Sequence, residues 1–133
     1  MLNPFPELLV YGILSPFMLR VAVGTALFYL AVHHYREREG LLHLLSPLVG
    51  KLSRIAMPAF VIVEVLAAGA FIVGAYTQIA AIVACSLFLK SSLVKSRLTA
   101  LAPLSHTAYL LLFIISLSLL FSGAGGFAFD LPL

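Results

Sequence analysis

The chain has 133 residues, of which 62% are hydrophobic and only 10% charged, with a net charge of +3 and a mean hydropathy of +1.14. Soluble domains are about 45–50% apolar and about 25% charged, so no water-soluble domain of this size hides so much apolar surface, and a bilayer must take the rest. The small basic excess comes without a patch of interleaved aromatics, which argues against nucleic acid as a partner, and the single cysteine, Cys85, excludes an intrachain disulfide, a CxxC redox pair and a cysteine zinc site.

In chain order, residues 1–14 open with two prolines and an acid and continue into an apolar piece, Leu8–Leu14, too short to span a bilayer. They read as an interfacial lead-in. The first residues lack the basic start of a signal peptide, so the first hydrophobic segment is expected to be retained. A first span runs from about 16 to 35. Pro16 suits its first turn, and Gly24 and Ala31 share the face of Arg20, which should therefore meet other helices. Residues 36–54 form a polar connection around a short leucine-rich half-helix, with Arg36, Arg38, Lys51 and Arg54 as its basic residues.

A single helix over Ile55–Leu89 would measure about 52 Å against a hydrocarbon core of about 30 Å, so this stretch must be a hairpin. Gly74–Gln78 is its corner, giving a second span at about 56–75 and a third at about 78–94. Ala70/Gly74, Ala80/Ala84 and Ala81/Cys85 are small-residue pairs suited to close helix contact. A second basic connection, 90–103, carries Lys90, Lys95 and Arg97. A fourth span runs from about 104 to 122 and stops at Gly123–Gly126, followed by a short tail. The expectation is one all-α domain over 1–133, an integral membrane four-helix bundle. Seven of the eight basic residues fall on the two connections, which places those in the cytoplasm and both termini outside the inner, or plasma, membrane.

Three blocks, in order, resemble the DoxX family of small four-helix membrane proteins. The first is Leu19-Arg20-Val21-Ala22-Val23-Gly24 with the aromatic-rich stretch to Tyr35. The second is Pro58 through Glu64 and its small residues to the Gly74–Gln78 corner. The third is Gly123-Ala124-Gly125-Gly126-Phe127-Ala128-Phe129-Asp130. The chain departs from the family pattern at His33-His34, Gln78, Ala124 and Ala128. The resemblance implies a four-helix transmembrane bundle and a membrane subunit or anchor of a redox or sulfur-handling complex. Quinone is the cofactor it allows, and its partners would be soluble or membrane redox proteins. A non-catalytic scaffold or assembly factor, a homo-oligomer, and a binder or transporter of lipophilic ligands are the alternatives.

Glu64 is the one carboxylate in an apolar run, and a lone buried acid needs a partner, a proton or a function. Counted from the start of its span it lies about 13 Å deep, near the midplane. Arg20 enters from the other side, and its planar fork suits a carboxylate, so a buried Arg20–Glu64 ion pair is expected. A ligand or proton site at Glu64 stands beside it, as does a protonated, hydrogen-bonded acid. Ala67, Ala68 and Phe71 share the Glu64 face and would either line a cavity for a flat apolar ligand or pack tightly. His33, His34, His43 and His106 gather at the cytoplasmic end, with Tyr109 one turn from His106. Their spacing lacks a metal-binding pattern, no metal is assigned, and an interfacial role is the simpler reading. No catalytic set is identifiable. Ser105, Ser116, Ser118 and Ser122 read as helix–helix glue.

Overall fold

The computed structural model describes residues 12, 14–50, 53–96, 99 and 102–123, with backbone alone at 44–46, 48, 49 and 53. The lead-in before Leu14 (Gly12 apart), Lys51, Arg97 and the tail beyond Gly123 lie outside the described residues. Five α-helices follow one another: α1 (Leu14–Arg36), α2 (Arg38–Val49), α3 (Ser53–Val73), α4 (Thr77–Lys95) and α5 (His106–Ser122). Among the described residues there is no strand. By length and composition α1, Arg54–Val73 of α3 and α4 can each cross a membrane, while α5 is apolar but shorter, at 17 residues.

The boundaries have local causes. Pro16 sits in the first turn of α1, where a missing N–H costs nothing. A turn at Glu37 separates α1 from α2, yet the helical ladder nearly carries through it: Glu37 N–H donates to the His33 carbonyl and Leu41 N–H to that of Glu37. The 12 residues of α2 make about 18 Å of helix, a half-helix and not a span. At the end of α3 the N–H groups of Gly74 and Ala75 both donate to the Ala70 carbonyl, at 2.8 and 3.1 Å. Gly74 has φ +76°, the left-handed stop that glycine allows at low cost. Tyr76 follows at φ +53° and α4 begins at Thr77, so the corner falls where the hairpin argument puts it. α5 starts two residues later than expected because Ser105 is its N-cap, its hydroxyl accepting from Ala108 N–H. Gly123 ends it at φ +74°.

The closest associations are α1 along α3 and α4 along α5, with lighter contact between the two pairs. At Gly24 α1 lies close against α3. A Cβ there would lie 3.0 Å from Ile72 Cγ1, 3.2 Å from the Ala68 carbonyl oxygen and 3.3 Å from Phe71 Cβ. On α4 the small residues Ala80, Ala81 and Ala84 are buried. The outer surface is apolar: Phe121 is 82% exposed and Met18 and Ile55 each 70%. Meanwhile Arg20, His34, Glu64 and Ser116 are buried. Large apolar side chains outside and ionisable groups inside is the arrangement expected of a protein whose solvent is lipid.

Candidate functional site

The buried face of α1 repeats at helical spacing through Arg20, Gly24, Leu27, Ala31 and His34. On α3, Glu64, Ala67, Ala68 and Phe71 form the matching stripe, all buried. The two stripes lie antiparallel: Gly24 meets Ala68, Phe71 and Ile72, and ten residues further on His34 meets Phe60 and Glu64. This register decides which groups can pair.

Glu64 pairs with His34. His34 Nδ1 lies 2.8 Å from Glu64 Oε2, with both side chains only 1% exposed. With the acid ionised, Nδ1–H donates and the carboxylate accepts, which fixes the ring's tautomer and orientation. The expected Arg20–Glu64 ion pair does not form. Arg20 stands 14 residues before His34 on the same helix, about 21 Å along the axis and beyond the reach of its side chain. It is fully buried near the other end of α1, its guanidinium carbon 5.6 Å from the centroid of the Phe17 ring. α3 begins at Ser53 and outruns the end of α1. Glu64 is therefore level with the last turn of α1, not with its upper half.

Phe60, one turn before Glu64, packs edge-on to His34 with centroids 5.4 Å apart. Lys90 of α4 places its Nζ 4.2 Å from the centroid of that same ring. The sequence therefore leads inward from an exposed cation through a half-buried aromatic ring to an imidazole and a carboxylate. Cation–π contacts of this kind contribute about 0.5–1 kcal/mol when exposed and more when desolvated. Nothing in the sequence singles out a role for Phe60, and Lys90 stands there only as one of the basic residues of the 90–103 connection. The available signals were the spacing of four between Phe60 and Glu64 and the spacing of 14, two heptads, between Arg20 and His34.

The remaining candidates separate. His33 is half-buried and touches the His34 ring edge-on, with centroids 5.8 Å apart. His43 is exposed on α2. His106 is exposed, with Nδ1 at 3.5 Å from Ser92 Oγ. Tyr109 does not bond to His106: its buried hydroxyl accepts from the Leu104 N–H at 3.4 Å. Ser105 is a helix cap, and Ser116 donates to the Leu112 carbonyl of its own helix, so neither hydroxyl bonds across helices. Ala68 and Phe71 are covered by α1 at Gly24, which leaves no seat for a quinone against them. The Cys85 thiol donates to the Phe113 carbonyl at 3.8 Å. Among the described residues no three His, Cys, Asp or Glu side chains gather as metal ligands. A surface depression at the α1–α2 turn, lined by residues 35–40, is mixed in charge and separate from the buried pair.

No family model, no curated protein and no solved structure matches the chain.

Proposed function

We propose that the chain is a DoxX-like integral membrane protein with four spans, serving as a membrane subunit or anchor of a redox or sulfur-handling complex. One observation carries this reading. The first two blocks of the resemblance are the two sides of one interface: Gly24 of the first meets Ala68 and Phe71 of the second. Residues far apart in the chain that share a family-like pattern here share a packing function. The fourth span is α5, whose 17 residues make about 25 Å, the lower limit for crossing a hydrocarbon core. The basic ends of α1, α3 and α4 face the cytoplasm of the inner membrane by the positive-inside rule. The lone thiol is engaged inside α4, so electrons in such a complex pass through a partner or its cofactor, and a quinone belongs to the partner.

A non-catalytic scaffold is the second reading, favoured by the tight contact at Gly24, where a ligand cavity would have to open. Mass spectrometry of small molecules and proteins that co-purify with wild type and with Glu64→Ala separates the two. A redox enzyme or quinone retained by wild type supports the subunit. A homodimer holding lipid alone supports the scaffold and defeats the redox reading.

A further inference from the structure

We propose that His34 and Glu64 form a binding site for a single proton, reached past Phe60 from the end of the molecule that carries the α1–α2 turn. The inference rests on the geometry of the pair and holds whether or not the chain serves a redox complex.

The ligand follows from the charge count. A neutral imidazole with an ionised carboxylate leaves one net negative charge in a low-dielectric interior. One added proton brings the pair to net zero while the 2.8 Å hydrogen bond is kept. A proton is also a ligand that needs no cavity, and Ala68 and Phe71 on the Glu64 stripe are already covered by α1. The step is uptake of H⁺ from water by the imidazole, which then carries N–H on both nitrogens and faces the carboxylate through Nδ1. Release returns the proton to water, and no electrons move.

The route follows from the unequal helix ends. Measured along α3, Glu64 is 11 residues from Ser53, about 16 Å. Measured along α1, His34 is two residues from Arg36, about 3 Å from the end of that helix. The pair is deep on α3 but within one turn of the α1–α2 turn, so the short way out leads toward that turn. Phe60 borders that way. It is half-buried, its edge against His34, its face under the exposed Lys90. Rotation of one half-buried ring opens the pair without moving a helix.

The charged and titratable groups around the pair come from every neighbouring element. His33 of α1 touches the His34 ring. Lys90 of α4 lies across Phe60. Tyr109 of α5 lies within electrostatic range of Glu64. On α2, Arg38, Glu39 and His43 are exposed. The Glu64 carboxylate presents its negative charge to the His34 ring through Nδ1 at 2.8 Å.

The test is nitrogen NMR of histidine-labelled protein in lipid nanodiscs from about pH 5 to 8, the range in which histidine changes charge. The His34 signals are identified by their loss in His34→Gln. In wild type they are expected to shift through one complete protonation step, and in Glu64→Gln the midpoint of that step is expected to move. A wild-type His34 locked in one protonation state throughout would overturn the proposal, and that measurement needs no variant to fold. Phe60→Ala is expected to speed proton exchange at His34 about tenfold, which corresponds to about 1.4 kcal/mol of opening free energy. Phe28→Ala, on an exposed face of α1, should leave the rate unchanged. Equal rates in wild type and Phe60→Ala would refute the route.

Discussion

A carboxylate removed from water is costly unless its charge and lone pairs are met; at 2.8 Å His34 gives Glu64 a hydrogen bond, and a countercharge once the imidazole takes up a proton. Deleting the carboxylate leaves the Nδ1–H of a buried neutral imidazole without its acceptor, at a cost of about 1–3 kcal/mol. Glu64→Leu should therefore lower thermal stability in detergent. Glu64→Gln keeps an acceptor for Nδ1–H and should cost about 1–2 kcal/mol. A double-mutant cycle between His34→Gln and Glu64→Gln should show a coupling energy of about 0.5–3 kcal/mol, whereas the Arg20→Gln and Glu64→Gln cycle should be additive within about 0.5 kcal/mol. Strong Arg20–Glu64 coupling would contradict the register of α1 on α3. That Glu64 needs a partner was legible from one acid in an apolar run. Which partner was not, because the rule that intramembrane charges pair is silent on register. Arginine drew the assignment as the stronger ligand for a carboxylate, and the doublet His33-His34 looked interfacial because its two side chains point apart. Only His34 continues the stripe that begins at Arg20, and only the offset of the helix ends brings it level with Glu64.

Among the elements, the spans were legible and their pairing was not. For α1, α3, α4 and α5, hydropathy and length place each boundary within about two residues except the start of α3, where Ser53 precedes the expected start by three residues. Pro58 sits inside α3, five residues after Ser53 and past the first turn in which a missing N–H is harmless. Small residues announced close contact without saying where it falls. Gly24 and Gly69 make the distinction. Both are helical, but a Cβ at Gly24 meets backbone and the root of a side chain at 3.2–3.3 Å, while a Cβ at Gly69 has nothing within 4 Å. Gly24→Leu should force α1 from α3 at a cost of about 1–3 kcal/mol or more, by the overpacking penalty. Gly69→Ala should stabilise by about 0.5–1 kcal/mol through helix propensity. Melting of both variants in the same detergent checks the pair. Equal melting temperatures would mean that Gly24 is not a contact point.

At the scale of the molecule, one end gathers the charge. Arg36 and Arg38 flank the α1–α2 turn, Arg54 opens α3, and Lys90 and Lys95 lie in the last turns of α4, where Lys95 Nζ donates to the Ala102 carbonyl at 2.8 Å. The opposite corner, Gly74–Thr77, carries no charged side chain and exposes Tyr76 at 71%. On the proposed orientation, which follows the positive-inside rule, this basic end faces the cytoplasm. On the proposed route the same end is the exit from His34, so the orientation of the chain would also decide which compartment supplies a proton to the buried pair. In a Cys85→Ala background, Gly40→Cys should react with a membrane-impermeant maleimide only after the cell is opened. Tyr76→Cys should react from outside in intact cells. The reverse pattern would turn the molecule over and assign the His34–Glu64 pair to the external side. Labelling of both positions from one side would mean that α3 does not cross the membrane, because the two positions lie beyond its opposite ends.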